Sequence, residues 1–399
     1  MPVPSPFHER TAPLCSSGLW KDWAGWLAVR SFDDHPEPEY FAVRTACGLL
    51  DVTPLFKYRV RGPGAAAFLA WVMTRDIRRL RPGRVAYCTW TDRHGKMLDD
   101  GTVMHLGGDQ YRVTAADPAF AWLARSARRF PVEIEDETEA LAALALQGPR
   151  SREVLEHLLQ EDPGLRFFGH RRAVLGGVEV EITRTGYTGD LGYEIWIPRE
   201  RALEVWDRIV EAGRLHALKP FGLDALDVLR VEAGFVMNGV DYWSAEHCLI
   251  ERQKSTPFEL SLDWTVQLDR EPFQGQAALR AEKERGPRLR FVGLDIDWEA
   301  LEALYDEYGL PAALPGRAWR DPRPVYGARR PGRRNQVGRA TSGAWSPILK
   351  RNLALATLEA AHARPGTRLW FEVTVEYERR LVPCTVVETP FFDPQRKRT

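Results

Sequence analysis

The order of elements between Gly48 and Phe130 constrains the fold most. Residues 48–62, GLLDVTPLFKYRVRG, read as a strand ending at Gly62-Pro63. AAAFLAWVM then reads as a helix, stopped before RPGR at 81–84. Three strand-like runs follow: VAYCTWTD, then MLDDGTVMHL after the turn His94-Gly95-Lys96, then QYRVTAA after Gly107-Gly108-Asp109. Residues 118–130 read as a helix. Strand, helix, three strands and helix make an α+β unit over about 50–137.

A second unit begins near Leu141. LAALALQGP is an apolar run closed by Gly148-Pro149, and SREVLEHLL is a helix. VEVEITRTGYTGDLGYEIWIP gives two strands joined by a Gly-rich loop. ALEVWDRIVEAG and DALDVLRVEAG are helices that end at Gly213 and Gly234. AEKERGPRLR, at 281–290, reads as a linker. The remainder, to 399, holds short strands and turns, as in a small barrel or sandwich. In the Pro- and aromatic-rich N-terminal 45 residues, Trp20, Trp23 and Trp26 have the spacing of one face of a helical turn.

Length and charge narrow the function classes. A chain of 399 residues suggests two or three domains. Lys plus Arg is 55 and Asp plus Glu is 55, so no global basic field points to nucleic acid. Arg396-Lys397-Arg398 reads as a short solvated basic tail. Five separated cysteines with no CxxC pair exclude a disulfide framework or zinc knuckle and suit a reducing compartment. The N-terminal residues lack the pattern of a signal peptide, and no stretch approaches the roughly 18 apolar residues of a membrane span. A soluble cytoplasmic protein is expected, with no nucleic-acid or membrane partner. The nine His residues show no HxxxH or HxH spacing, so no metal is expected.

Four stretches carry chemistry. HGKMLDDGTV, residues 94–103, sets adjacent carboxylates Asp99 and Asp100 just after a turn. On a strand they point to opposite faces, so only one enters a given cleft. An Asp in an apolar cleft holds a proton more tightly and stabilises a nearby cation; the pair also fits a solvated turn. In RTGYTGDLGYEIWIP, residues 184–198, Gly186, Gly189 and Gly192 permit a tight loop that approaches a ligand closely. No GK[ST] follows and no helix starts there, so it is not a phosphate loop. Glu194 follows on the strand. Beside a pocket it can accept two N–H groups of a planar heterocycle; a hairpin with a solvated Glu fits equally. GLDALDVLRVEAG, residues 222–234, reads as an amphipathic helix made for core packing. In VGRATSGAWSPILKRNLALATL, residues 337–358, Ser342, Gly343 and Ser346-Pro347 look like turn chemistry.

In series these motifs resemble the aminomethyltransferase (glycine-cleavage T-protein) family. GLLDVTPL, RPGRVAY, GKMLDD, ALQGP, RTGYTGDLGYE, GLDALDVLRVEAG, VGRATSG..SPILK and PGT occur in that order over about 40–394. The resemblance implies an α+β, three-domain clover leaf around a central folate channel, with tetrahydrofolate as cofactor. Residues 1–50 plus 138–275 would form the folate-binding first domain, 51–137 a ferredoxin-like second domain, and 281–399 a C-terminal β-barrel. It implies Asp100 as the acid near the one-carbon centre and Glu194 as the pterin ligand, with Tyr87 and Tyr187 lining the pocket.

The departures from the family pattern are specific. Leu226 stands where the family has an Arg that contacts folate. Thr53-Pro54-Leu55 replaces Ser-His-Met, Asp393-Pro394-Gln395-Arg396 replaces a C-terminal Tyr, and residues 297–319 are extra. With PLFKY, GVDYWSAEH, STPFELSLDW and FFDPQRKR, these look like the branch of tetrahydrofolate-dependent O-demethylases, similar to vanillate or syringate demethylases and also to dimethylsulfoniopropionate demethylase. The partner would be a small-molecule methyl donor, a methoxylated aromatic acid. Its leaving phenoxide needs a proton or stabilisation. Tyr242 is the candidate donor, because a phenol pKa near ~10 matches the leaving group; a structural Tyr is the competing reading, and His247 is a second candidate. Two alternatives stay open: a T-protein-type aminomethyltransferase, and a folate scaffold repurposed for biosynthesis or non-catalytic folate binding.

Overall fold

The structure is a computed structural model that describes residues 1–312, 314, 316–329 and 335–399. Among these residues the strands form four sheets. A small N-terminal sheet joins Val3–Pro4, Trp26–Ser31 and Leu19–Trp23. A six-stranded sheet runs in the order His170–Leu175, Val178–Thr183, Gly192–Pro198, Leu141–Gln147, Cys47–Asp51, Leu218–Pro220. A five-stranded sheet runs Val85–Thr91, Met97–Gly107, Gln110–Ala115, Phe56–Arg61, Glu133–Asp136. The C-terminal strands, from Leu289–Ile296 to Glu378–Val387, close into a six-stranded barrel. Closure removes exposed sheet edges.

Several sequence expectations change in the fold. Residues 48–62 are not one strand: Cys47–Asp51 joins the six-stranded sheet and Phe56–Arg61 the five-stranded one. Pro54 cannot donate to a ladder, and the Asp51 carboxylate accepts the Thr53 N–H at 2.9 Å, turning the chain. Trp20, Trp23 and Trp26 lie on a hairpin rather than a helical turn, with Trp23 paired to Trp26. Ala24 and Gly25 both take positive φ, as a two-residue hairpin loop demands. The expected linker begins inside the helix Gln276–Arg285 and ends inside the first barrel strand, Leu289–Ile296. Ser342, Gly343 and Ser346 sit within the strand Gln336–Ser346, beside a bulge, and not in a turn. The extra segment 297–319 carries a helix, Trp298–Asp306, capped by the Asp297 carboxylate on the Ala300 N–H at 3.0 Å. Residues 313 and 315 of that segment lie outside the described residues.

The helix Leu223–Glu232 is the centre of the molecule. The sequence reads it as amphipathic, yet all ten of its residues are buried. Its apolar side chains share one cluster with Val85, Met97 and Met104 of the five-stranded sheet, Leu50, Ala143 and Trp196 of the six-stranded sheet, and Leu353 and Leu355 of the barrel. Charges survive in so buried a helix only when paired. Asp224 meets Arg30 and Arg317, Asp227 meets Arg230 and Arg320, and Glu232 meets Arg44. Among the described residues no helix is long and apolar enough to cross a membrane.

Candidate active site

Strand Met97–Gly107 delivers the two carboxylates. A bulge lies between the pairs Trp90–Asp99 and Thr91–Met97. Gly101, next to Asp100, is sterically required: a Cβ there would sit 1.9 Å from the Thr114 carbonyl oxygen of the neighbouring strand. Asp99 is buried and works structurally. One oxygen accepts the backbone N–H groups of Ala116 and Asp117, each at 2.9 Å, and the other accepts the Asn238 amide at 2.9 Å.

Asp100 is half-buried, and its partners are two phenols. Tyr87 donates to one carboxylate oxygen at 2.8 Å, and Tyr242 makes a short bond to the other. The expectation that strand alternation separates Asp99 from Asp100 holds only in part, because the Tyr242 hydroxyl also lies 3.3 Å from Asp99. Both carboxyl groups hold their proton above the usual range, chiefly through burial, and Asp99 also through the charge of Asp100. The two phenols oppose that rise at Asp100 by donating to its ionised form. Burial, followed by the charge of Asp100, pushes both phenols well above their ordinary range. Tyr242 is therefore held by the carboxylates instead of standing free as a proton donor.

A polar clamp fixes Tyr242. Asp241, buried beside it, accepts from Arg230 at 2.6 Å, the Met237 N–H at 2.9 Å, Thr341 at 2.6 Å and Ser342 at 2.8 Å. The loop carrying Asn238 and Tyr242 is thus tied to the central helix and to the barrel. Sequence reasoning missed Asn238, Asp241 and the structural role of Asp99. The only signal was the polar content of the GVDY turn and of the TSG strand. On the open side, Trp264 stacks on Tyr87 with centroids 5.5 Å apart.

Glu194 stands on the strand Gly192–Pro198, half-buried, and Thr185 donates to its carboxylate at 2.5 Å. Burial raises its proton affinity. The loop before it is shaped differently from the expectation. A Cβ on Gly186 or Gly192 would fall 2.0 or 2.3 Å from the Gln147 side chain, so these glycines make room for Gln147 rather than for a ligand. Gln147 in turn donates to the carbonyls of Thr185 and Tyr193 and accepts from Thr188. Tyr187 packs on Phe235 with centroids 5.4 Å apart, and its hydroxyl donates to the Val236 carbonyl. Its phenol is raised, mainly by burial, and feels the charge of Asp100.

The structure thus brings Asp100, Tyr87 and Tyr242 into direct contact. Tyr87 and Tyr187 both pack on the central cluster that contains Tyr242. His247 is not brought in. Its side chain is 62% exposed, and its Nε2 lies 3.9 Å from Asp117 on the rim. Among the described residues no His, Cys, Asp and Glu groups form a metal cluster.

A family model described as the GCVT N-terminal domain matches residues 9–270, and one described as the glycine cleavage T-protein C-terminal barrel domain matches 314–393. The chain is 34% identical over 407 residues to the trimethylamine-oxide aldolase of Ruegeria pomeroyi. That alignment takes in 98% of this chain but spans only 47% of the relative's length. It is also 34% identical over 378 residues to the aminomethyltransferase of Geobacillus thermodenitrificans, covering 93% of each. The crystal structure of aminomethyltransferase T from Bartonella henselae shares the fold, with a TM-score of 0.82, 23% identity, and coverage of 98% and 99% of the two chains.

Proposed function

We propose the following for this chain, which belongs to the glycine-cleavage T-protein family: it moves a one-carbon unit between a small donor and tetrahydrofolate at the Asp100 centre. The carrying observation is a half-buried carboxylate gripped by two phenols, facing the same central cluster as the aromatic ring of Tyr187. The residues fit a pterin. Glu194 offers a half-buried carboxylate held from one side by Thr185, and an ionised carboxylate can accept two N–H groups of a planar edge. When bound, tetrahydrofolate supplies N5 as the acceptor of the one-carbon unit. Asp100 would offer a negative charge to stabilise the cation that develops on alkylation. Tyr87 and Tyr242 orient it and donate to its ionised form; Asp99 ties the strand to the N–H groups of Ala116 and Asp117 and to Asn238. Three folding units, 1–50 with 138–275, 51–137, and 281–399, would enclose the site.

The donor we propose is a methoxylated aromatic acid, which loses methyl as a phenol. Support comes from the aromatic walls and from Leu226, Thr53-Pro54-Leu55 and the 297–319 segment, where the chain leaves the family pattern. A second reading has its own observation: the similarity to trimethylamine-oxide aldolase runs over 98% of this chain, which puts an N-methyl amine oxide among the candidate donors.

The test is anaerobic incubation with tetrahydrofolate and three donors in parallel: a methoxybenzoate, trimethylamine N-oxide and an aminomethyl-lipoyl carrier. Mass spectrometry reads the folate product. Methyl-tetrahydrofolate plus free phenol from the methoxybenzoate is the expected result. Methylene-tetrahydrofolate from either of the other donors, with none of the phenol, overturns the methyl-ether reading.

A further inference from the structure

A cleft of about 850 Å³, in whose lining Asp100 has no part, lies between the segment Arg75–Ala86 of the five-stranded unit and the segment Asp162–Phe167 with Arg184 of the six-stranded unit. Eight arginines line it. Three of them are neutralised locally: Arg79 by Asp76, Arg152 by Asp162 and Arg398 by Asp393. The other five, Arg75, Arg81, Arg84, Arg166 and Arg184, make no ion pair among the described residues. Of the acidic side chains in the wall, Asp76 also holds Arg78 at 2.8 Å, and Asp162 also accepts the Gly164 N–H at 2.8 Å; Thr399, the last residue, lines the cleft as well.

Three of these guanidinium groups are also held in place. Arg84 donates to the Phe167 carbonyl at 3.0 Å, Arg75 to the Tyr87 carbonyl at 3.3 Å, and Arg184 to the Leu165 carbonyl at 3.1 Å and those of Arg396 and Lys397 at 3.3 Å. Carbonyl bonds orient a guanidinium and leave its charge unpaired. Arg184 is the telling case: it is 4% exposed, and its Nε is buried with no acceptor. A buried charge without a counter-ion is strongly unfavourable. A cleft that sets four less buried, unpaired guanidinium groups around such a charge gains stability when an anion enters it. Arginine forks match carboxylate and phosphate oxygens in pairs, and their rigid planes make them the cations best suited to such oxyanions.

We propose that this cleft binds a multivalent oxyanion, a phosphate ester or polycarboxylate, through Arg184 and Arg84 at its inner wall and Arg75, Arg81 and Arg166 around it. Nothing in the one-carbon chemistry uses these five arginines, and the proposal stands without the donor reading.

The test titrates the full chain by calorimetry with two probes, inorganic tripolyphosphate and a tri-glutamate peptide. One saturable site is expected, weakened by salt as screening requires. The double variant Arg81→Ala/Arg166→Ala removes two exposed side chains with no partners among the described residues and should weaken binding at least about tenfold. Arg184→Gln should do the same. A control, Arg128→Ala/Arg129→Ala, changes exposed arginines outside the cleft and should leave binding unchanged, as should Glu194→Gln, which reports on the folate reading alone. Preference for tripolyphosphate identifies a phosphate ester, and preference for tri-glutamate a polycarboxylate; both support the site. Absence of saturable binding to either probe, or equal affinity in the Arg81/Arg166 variant and its control, overturns it.

Discussion

Lys57 offers a quantitative test of the joint between the two larger sheets. It is fully buried. Its Nζ donates to the carbonyls of Thr53 at 2.7 Å, Leu55 at 2.8 Å and Thr138 at 3.4 Å. Burial pushes its ammonium down from 10.5 to about 7, a fall only partly opposed by the charge of Asp51. A group whose folded value lies below its unfolded value contributes stability that is full above the unfolded value. That stability is lost as pH falls through the folded one. The protein should therefore grow more stable as pH rises from about 7 toward 10.5. The whole interval corresponds to about 5 kcal/mol, and the part between pH 7 and roughly pH 9.5 to about 3 kcal/mol. The perturbation is Lys57→Met, which keeps the length of the side chain and abolishes the titration. Guanidinium chloride unfolding at the two pH values, for both proteins, isolates the lysine from every other group that titrates in the window. The wild type should gain about 3 kcal/mol more than the variant over the same interval. Equal pH dependence in the two proteins would refute the reasoning, because it would mean that the Lys57 ammonium is as well solvated in the fold as in the unfolded chain.

Three further outcomes follow from the site. Glu194→Gln should weaken tetrahydrofolate binding by about 1.5–3 kcal/mol, the worth of a hydrogen bond to a charged group; an unchanged dissociation constant by calorimetry sinks the assignment. Asp100→Asn should cut turnover while leaving the unfolding midpoint nearly unchanged, whereas Asp99→Asn should cost about 1–3 kcal/mol of stability by turning an amide toward the Ala116 and Asp117 N–H groups; the reverse pattern would exchange the roles of the two. Asp241→Asn should cost about 3 kcal/mol, at the low end for a broken buried pair because Arg230 keeps Asp227; thermal unfolding indistinguishable from wild type would show that the clamp on Tyr242 carries no load.

Much of the site was legible because it lies in short, punctuated motifs. Asp100 follows a glycine turn on a strand, and Glu194 follows a glycine-rich loop; both sit half-buried on strands, as strand patterning suggests. What stayed hidden depends on contacts between residues far apart in sequence. The sequence offers Tyr242 as a candidate proton donor or a structural Tyr but cannot say that its hydroxyl reaches across 142 positions to Asp100. It reads Gly186 and Gly192 as freedom for a ligand, whereas the space is filled by Gln147 from another strand. The alternation of 48–62 reads as one strand because both of its halves are strands; Pro54 marks the break, yet only the pairing partners show that the halves belong to different sheets.

Leu226 and the segment 297–319 meet at the central helix. Leu226 lies within the apolar cluster of the central helix. Its neighbours Asp224 and Asp227, one on each side, are buried and so must be paired. Arg30 and Arg230 serve one each from within the N-terminal sheet and the helix itself. The second partner of each comes from that segment and from the residue just after it: Arg317 reaches Asp224 at 3.1 Å, and Arg320 reaches Asp227 at 2.6 Å. Two cations thus reach the central helix from the stretch between the helix Trp298–Asp306 and the strand Arg323–Tyr326. Both arginines sit on an element separate from the helix whose Arg230 holds Asp241, the neighbour of the Tyr242 that bonds Asp100.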